Sequence, residues 1–205
     1  PRLAGSWYHW TKVHDSNNIM FACKLWGMKS TDIMQGIVYG TKTNEMKNES
    51  YSTRFDIDEA FGTVINRFCA QAVIGHPLTV HGVGGQTRGF LSLNDSIQCI
   101  SLLIDNPPKD GEYRVVNQFD QQFSIMKLAK MIQSIGNKLG LNVEIKNKEN
   151  PRVEAEEHYY KADHKILVDL GFKRTREIED EIKIMLEQLI KHKERIKDKK
   201  DVIVK

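Results

Sequence analysis

Apolar positions along this chain recur with two alternating spacings, and the alternation predicts the fold class. The first stretch has helical spacing and predicts a helix that ends at Gly27. Its apolar positions are Trp10, Val13, Met20, Phe21 and Leu25. A strand-like run follows around Ile33 and at 37–39. Because helical and strand-like stretches keep alternating to the end, the sequence predicts an α/β protein.

Capping residues and glycines set the limits of the later elements. The predicted helices run from Asp56 or Asp58 to Gly75, from Asn94 or Asp95 to Pro107, from Ser124 to Gly140, and from Glu177 to Lys200. The predicted strands lie at 33–39, 78–81, 90–93, 113–116 and 143–145. The polar segment 42–54 is predicted to be a surface loop or lid, and the lysine-rich end of the last helix to be solvated or frayed.

Composition excludes several classes of protein. The 205 residues carry a net charge of only +3, without the concentrated basic stripe that nucleic-acid binding requires. No apolar stretch approaches the roughly 18–20 residues that span a bilayer, and no signal peptide is expected. The three cysteines stand far apart, which favours buried thiols in a reducing, cytoplasm-like compartment. No spacing of His and Cys indicates a metal.

Tyr8 and Lys12 form the first candidate for chemistry. Their spacing of four residues places both on one face of the opening helix. An ammonium close to a phenol lowers the pKa of that phenol, which makes it a usable acid and base. This is the arrangement that hydride-transferring short-chain dehydrogenases need. His9 and His14 flank the pair, and histidines in such positions are more often ordinary core or surface residues.

Two further strings have candidate phosphate-binding arginines. Residues 81–89 are glycine-rich but do not fit the dinucleotide fingerprint, because the final glycine comes too late and a strand follows. The string is either a turn that brings Arg88 to a diphosphate or a simple hairpin turn. At 150–160 a proline precedes Arg152, which we expect to be a second phosphate clamp.

Six strings in order carry a resemblance to a known family. They are YHWTKVHDS at 8–16, QGIVYG at 35–40, FGT at 61–63 with NRFC at 66–69, GHPLTV at 75–80, GGQTRG at 84–89 and NPRVEAEEHYY at 150–160. Together they resemble the UDP-sulfoquinovose synthase family of extended short-chain dehydrogenase/reductases, from about residue 1 to residue 171. The last string is especially specific.

The resemblance implies both a fold and a reaction. The fold would be the C-terminal part of such an enzyme, with Rossmann-type elements at 1–41 and 90–120 and a smaller mixed α/β sugar-nucleotide-binding domain at 42–89 and 121–205. The family holds NAD tightly and converts UDP-glucose and sulfite to UDP-sulfoquinovose. C4 is oxidised, water leaves across C5 and C6, sulfite adds to the resulting alkene, and C4 is reduced again.

The resemblance also implies roles for individual residues. Tyr8 would be the acid and base at the C4 hydroxyl, Lys12 would hold the nicotinamide ribose, and His9 would contact substrate or transfer a proton. The remaining expected contacts are Gln35 and Val38 at the junction of nicotinamide and sugar, Thr63 and Arg67 at the sugar-nucleotide entrance, Thr79 and Val80 at the uracil or ribose, and Arg88 and Arg152 at the diphosphate.

The family's N-terminal Rossmann portion, with its glycine-rich turn, does not precede Tyr8 in this sequence. We expect that portion on the same protein or on a second chain, no activity from these residues alone, and a homodimer or higher homo-oligomer. The expected location is the cytoplasm, or the chloroplast stroma in a plant. A UDP-sugar 4-epimerase or 4,6-dehydratase on the same scaffold, and a non-catalytic sugar-nucleotide-binding subunit, are the alternatives.

Overall fold

The computed structural model describes residues 6–52, 54–57, 62–149 and 162–203. Within these ranges the chain alternates helices and strands, and the predicted α/β class is confirmed. The strands are β1 (Ser30–Gln35), β2 (Ile37–Tyr39), β3 (Leu78–His81), β4 (Thr87–Ser92), β5 (Tyr113–Gln118), β6 (Gln121–Ser124) and β7 (Ile145–Lys148). The helices are α1 (Trp7–Trp26), α2 (Val64–Ile74), α3 (Leu93–Asp105), α4 (Ile125–Lys138), α5 (Lys165–Asp169), α6 (Ile178–Lys191), α7 (Lys193–Lys197) and α8 (Lys200–Ile203).

The chain divides into two compact units, each assembled from three stretches. The first unit contains the residues up to Gln35 together with Gln98–Gln118 and Asp163–Phe172. In it β1 and β5 pair in parallel, with Ser30 opposite Tyr113, and α1 and α5 pack on this pair. Its buried apolar side chains are Cys23, Cys99, Leu103, Val116, Leu167 and Phe172.

Helix α1 begins and ends as the sequence predicts. The Ser6 hydroxyl accepts a hydrogen bond from the His9 N–H at the first turn, and Gly27 adopts a left-handed φ of 66° after the last turn. The buried positions of α1, within the described residues, are Ser16 and Cys23. Large apolar side chains such as Trp7, 87% exposed, and Trp26, 70% exposed, face solvent. Packing within the described residues therefore fixes this helix at few points.

The second unit comprises Gly36–Ile97, Phe119–Ala162 and Lys173–Lys205. Strand β4 lies between β2, parallel to it, and β6, antiparallel to it, while β3 and β7 form a separate parallel pair. Helices α2, α4 and α6 pack against one another around one apolar core. The largest buried side chains of this core include Phe68, Phe90, Leu128, Ile132 and Met185.

Several predicted limits are wrong, each for a local reason. Helix α2 begins at Val64 rather than after Asp56 or Asp58, because the Thr63 hydroxyl accepts from the Asn66 N–H and caps it. The strand expected at 90–93 begins three residues earlier, at Thr87. The expected helix 177–200 is divided into α6, α7 and the start of α8. Lys197, Lys199 and Lys200 at its lysine-rich end are exposed, as predicted, while Ile196 is buried in the core.

The cap predicted at Ser124 is confirmed, because its hydroxyl accepts from the Lys127 N–H at the start of α4. The three cysteines are free and buried, also as predicted. Burial raises the pKa of the Cys69 thiol well above its usual range, so that side chain is a protonated apolar filler. None of the described helices combines the length and hydropathy needed to cross a bilayer.

Candidate active site

Tyr8 and Lys12 lie one turn apart on the exposed side of α1. The Lys12 Nζ atom is 5.6 Å from the centre of the Tyr8 ring. Tyr8 is 67% exposed, and Lys12 makes only a loose ion pair with Asp15, at 3.9 Å. The phenol and the ammonium are therefore both available to a ligand on the same face of one helix.

His9 lies directly beside this pair. Its ring meets the Tyr8 ring edge to face, with 5.5 Å between the ring centres. Its Nδ1 atom is 2.6 Å from the Ser6 Oγ atom, the same oxygen that caps the helix. This contact engages one ring nitrogen and orients the other, Nε2, away from the cap. His14 instead packs edge to face on Trp10.

Gln35 and Val38 lie on consecutive strands. Gln35 ends β1, and its side-chain amide donates to Gln118 Oε1 at 3.0 Å across the parallel pair. Val38 is the middle residue of β2 and lies opposite Leu91 in β4. The two residues belong to different units of the chain. The structure thus gives Gln35 an internal partner and Val38 a regular strand position.

Thr63 and Arg67 are one turn apart at the start of α2. Thr63 caps the helix with its hydroxyl, and the Arg67 guanidinium carbon lies 5.9 Å from the centre of the Phe68 ring. Both side chains are half-buried. Thr63 therefore has the capping role that the sequence analysis predicted for Asp56 or Asp58.

Thr79 and Val80 are buried in β3. The Gln71 side chain in α2 binds Thr79 twice, accepting from its N–H at 3.0 Å and donating to its hydroxyl at 2.8 Å. Val80 has no exposed surface. A substrate contact at these positions would therefore use main-chain atoms other than the Thr79 N–H.

The glycine-rich loop 82–86 caps helix α4 with its carbonyl groups. The N–H groups of Met126 and Ile125 donate to the carbonyls of Gly84 and Gln86, at 2.9 and 3.1 Å. Strands β3 and β4 on either side of the loop pair with other strands, so the hairpin interpretation is wrong. Gly84 approaches Val80 so closely that a Cβ there would lie 2.7 Å from Val80 Cγ1.

Arg88 follows this loop in β4, where its guanidinium donates to the Thr87 carbonyl at 3.0 Å. Arg152 lies outside the described residues. In the second unit, neighbouring residues link the elements that contain Arg67, Thr79 and Arg88. Gln71 links α2, which contains Arg67, to β3, and the glycine loop that precedes Arg88 rests on Val80.

The sequence analysis missed a buried ionic cluster in the second unit. Glu181 is 1% exposed; its Oε2 atom accepts from Arg176 at 3.2 Å, and its Oε1 atom has no hydrogen-bond partner among the described residues. Arg176 also donates to Asn44 at 2.8 Å. Burial, and then the charge of Glu181, raise the pKa of Tyr39 well above its usual range. The one signal in the sequence is the spacing of five residues between Arg176 and Glu181. That spacing is informative only if the glutamate is known to be buried, and the sequence does not show burial.

A cleft of about 780 Å³ lies between the segment 41–57 and helices α6–α8. Its lining includes the apolar side chains of Phe55 and Leu189 and the polar side chains of His192 and Arg195. None of the predicted binding residues that the structure describes lines it. Across the described ranges, no group of three or more His, Cys, Asp or Glu side chains could hold a metal ion.

Two curated proteins match this chain along almost its whole length. The chain is 54% identical to UDP-sulfoquinovose synthase of Sulfolobus acidocaldarius over 204 residues, which cover 100% of this chain and 52% of that protein. It is 51% identical to the chloroplastic UDP-sulfoquinovose synthase of Spinacia oleracea, over 97% of this chain and 42% of that protein. The chain thus spans about half the length of the curated relatives it matches. No family model matches it.

Solved structures share the fold at low sequence identity. A UDP-N-acetylglucosamine 4-epimerase from Methanobrevibacter ruminantium matches 93% of this chain with a TM-score of 0.74 and 17% identity, over 55% of its own chain. A UDP-glucuronic acid 4-epimerase from Bacillus cereus, in complex with UDP-glucuronic acid and NAD, matches 89% with a TM-score of 0.67 and 20% identity, over 52% of its chain. The fold is that of the C-terminal part of nucleotide-sugar epimerases and dehydratases.

Proposed function

We propose that this chain is the sugar-nucleotide-binding and Tyr–Lys part of a UDP-sulfoquinovose synthase, which converts UDP-glucose and sulfite to UDP-sulfoquinovose with NAD. The observation that carries the proposal is the 54% identity to the Sulfolobus acidocaldarius synthase over the whole chain. The match extends over 100% of this chain, so the segment that contains Tyr8 and Lys12 lies within it. The fold neighbours support the wider class of nucleotide-sugar enzymes.

Tyr8 would move the proton at the C4 hydroxyl of glucose. A phenol that gives up its proton becomes negatively charged, and an adjacent cation stabilises that charge in the transition state. Lys12 supplies that cation from the same face of α1, with its Nζ atom 5.6 Å from the ring centre. Because both side chains point to solvent in the described structure, neither needs to leave a buried partner in order to reach a ligand.

NAD fits these two residues. The exposed Lys12 ammonium, only loosely paired with Asp15, could donate to ribose hydroxyls, and the Tyr8 phenol projects beside it from the same helix face. Bound beside Tyr8 and Lys12, NAD would supply the hydride chemistry at C4 of the sugar. The protein's own contribution is to hold the ribose, exchange the C4 proton and orient the sugar.

The proton at C5 also has to be moved once C4 carries a carbonyl group. His9 is the candidate, because it lies beside Tyr8 and its Nδ1 is held by Ser6. An imidazole fixed at one nitrogen presents the other in a defined direction, which suits proton transfer. The alternative role for His9 is to contact the substrate without transferring a proton.

The negative charge of the UDP diphosphate calls for cations, and Arg88 and Arg152 are proposed to supply them. We further propose Thr63 and Arg67 at the sugar-nucleotide entrance, main-chain atoms of Thr79 and Val80 at the uridine, and Gln35 and Val38 next to the nicotinamide and sugar. The roles of these residues rest on the family resemblance together with their positions in the two units.

We also propose that the active protein includes a glycine-rich Rossmann portion, on the same polypeptide or a second chain, and that it is a homodimer or larger. The division into Rossmann-type elements at 1–41 and 90–120 and a sugar-nucleotide domain elsewhere stays a prediction. So does a cytoplasmic or, in a plant, stromal location; the Spinacia oleracea relative is chloroplastic by name.

The test uses the full-length protein with UDP-glucose, in the presence and absence of sulfite, followed by mass spectrometry of the products. A UDP-sugar of the sulfonated mass that forms only with sulfite is the expected result. UDP-galactose or a 4-keto-6-deoxy sugar, formed regardless of sulfite, would instead indicate an epimerase or a dehydratase. Tight binding of UDP-glucose without any conversion would indicate a binding subunit.

A further inference from the structure

Three side chains of the first unit meet at one carboxylate oxygen. The Ser16 hydroxyl in α1 donates to Asp32 Oδ2 in β1 at 2.6 Å, and the Tyr113 hydroxyl in β5 donates to the same oxygen. Ser30 lies opposite Tyr113 in the β1–β5 pair, so Tyr113 and Asp32 are diagonal neighbours on one sheet face. One carboxylate thereby joins the helix to both strands of its sheet.

We propose that Ser16, Asp32 and Tyr113, here called the Asp32 anchor, position Tyr8 and Lys12 for the reaction. The proposal rests on the proposed function, since it assigns a role within that chemistry. Tyr8, Lys12 and Ser16 are spaced by four residues each, and they therefore lie along one face of α1. The anchor holds the same face of the helix that presents the phenol and the ammonium.

The anchor is the first point at which α1 is buried. Between Trp7 and Asp15 every described residue of the helix is exposed or half-buried, whereas Ser16 is 8% exposed. Beyond Ser16, the helix is held by Cys23 and by the bond from the Gly111 N–H to the Gly27 carbonyl, 3.1 Å long. The turns that contain Tyr8 and Lys12 therefore extend from the anchor without further buried support in the described residues.

This arrangement makes the position of Tyr8 sensitive to small changes at Ser16. Eight residues of α-helix span about 12 Å, so a tilt of about 5° at Ser16 would move Tyr8 by about 1 Å. A displacement of that size can reduce the rate of an enzymatic step by about 100-fold, because proton and hydride transfers need near-attack distances. Hydrogen bonds to a carboxylate are stronger than neutral ones, which suits Asp32 to prevent such a tilt.

The experiment compares Ser16→Ala, Asp32→Asn and Tyr113→Phe with wild type in the full-length protein, with Asn18→Ala as the matched control. Asn18 is an exposed polar residue of the same helix, and no hydrogen bond of its side chain is described. Steady-state rates with UDP-glucose and sulfite give kcat and KM. Hydrogen exchange measured by mass spectrometry gives the protection of amides 8–16.

We expect Ser16→Ala to lower kcat by about 10- to 100-fold while the KM for UDP-glucose stays within about twofold, because loss of the anchor displaces the reacting groups and leaves the contacts of the sugar nucleotide in place. Asp32→Asn keeps an acceptor, and Tyr113→Phe keeps the Ser16–Asp32 bond, so both should have smaller effects. Exchange of amides 8–16 should rise in Ser16→Ala but not in Asn18→Ala. Alanine favours helix, so intrinsic propensity would act in the opposite direction.

A wild-type kcat and unchanged exchange in both Ser16→Ala and Asp32→Asn would overturn the proposal. The same fall of kcat in Asn18→Ala as in Ser16→Ala would also overturn it. Such a result would mean that any substitution in the helix loosens it, whether or not the anchor is intact. If wild-type protein makes no sulfonated sugar, the proposed function fails by itself. Hydrogen exchange then still decides whether the Asp32 anchor holds α1.

Discussion

Glu181 places a carboxylate oxygen directly against Gly40: a Cβ at position 40 would lie only 3.0 Å from Glu181 Oε1. Gly40 has a φ of 121°, a region that residues with side chains rarely adopt. The oxygen that faces Gly40 is the one without a hydrogen-bond partner among the described residues. A buried charge in this setting is costly, and the protein can relieve the cost by keeping a proton on Glu181.

Replacing Glu181 by glutamine should therefore change how stability depends on pH. Burial raises the pKa of Glu181 above its ordinary value of 4.5, and the smaller effect of Arg176 opposes this. A raised pKa in the folded state means that folding is favoured below about pH 4.5, and that this contribution is lost as pH rises through the folded-state pKa. Urea unfolding from pH 4 to pH 8 should show a weaker loss of stability with pH in Glu181→Gln than in wild type.

The control is Glu179→Gln, which removes an exposed carboxylate from the same turn of α6. It should keep the wild-type pH dependence apart from a small uniform offset. A difference between Glu181→Gln and wild type that is the same at every pH would show that folding does not raise the pKa of Glu181.

Gly84→Ala should destabilise the second unit by about 2–4 kcal/mol, since it combines backbone strain with overpacking. Its φ is 71°, and a Cβ there would lie 2.7 Å from Val80 Cγ1 and 3.1 Å from the Met126 N atom. Gly140→Ala is the matched control, because Gly140 has a similar φ of 79° and nothing within 4 Å of its Cβ position. It should cost only about 1–2 kcal/mol. If urea unfolding shows the same loss of unfolding free energy in Gly84→Ala and Gly140→Ala, the Val80 side chain moves aside without cost.

Gln71→Met should cost about 3 kcal/mol of unfolding free energy, because it leaves buried polar groups without partners. Gln71 binds the Thr79 N–H and hydroxyl, and it also donates to the Ile203 carbonyl at 3.2 Å. Thr79→Val removes one hydroxyl and leaves the other two bonds intact, so about 1 kcal/mol is expected for it. Chemical denaturation measures both variants. A loss for Gln71→Met no larger than that for Thr79→Val would contradict the view that all three bonds contribute.

Tyr8→Phe in the full-length protein should lower formation of the sulfonated sugar by about 10²- to 10⁴-fold, the usual contribution of a general acid or base. UDP-glucose binding should be retained, since the ring remains. Tyr51→Phe is a close control, because Tyr51 is 68% exposed against 67% for Tyr8. Analysis of isotopically labelled products measures formation of the sulfonated sugar, and calorimetry measures UDP-glucose binding. Unchanged turnover in Tyr8→Phe would remove Tyr8 from the reaction.

The sequence predicted those parts of the fold that short-range interactions determine. Gly27 ends α1 and Ser124 starts α4 because a left-handed glycine and a hydroxyl cap act within one turn of the helix they limit. The Tyr8–Lys12 pair could be placed on one helix face for the same reason. Residues whose role depends only on near neighbours in sequence were therefore predictable.

What the sequence did not predict depends on partners far along the chain. Strand β6, with the polar sequence QQFS, has no strand-like apolar alternation and exists because it pairs with β4. The loop 82–86 could be read as a hairpin because nothing local shows that its flanking strands pair elsewhere. Asp32 likewise received no role, since Ser16 and Tyr113 meet it only once α1, β1 and β5 are assembled.

The bond from Gln71 to the Ile203 carbonyl joins residues 132 positions apart, and it has a kinetic consequence. Contacts of such long sequence separation have a large loop-closure entropy and slow down folding. The core of the second unit is complete only when its third stretch, 173–205, is present. During synthesis on the ribosome, α2 and β3 therefore stay incompletely covered until this last stretch has emerged. We therefore expect this unit to complete its folding late, and to need chaperones more than a domain of the same size with local topology would.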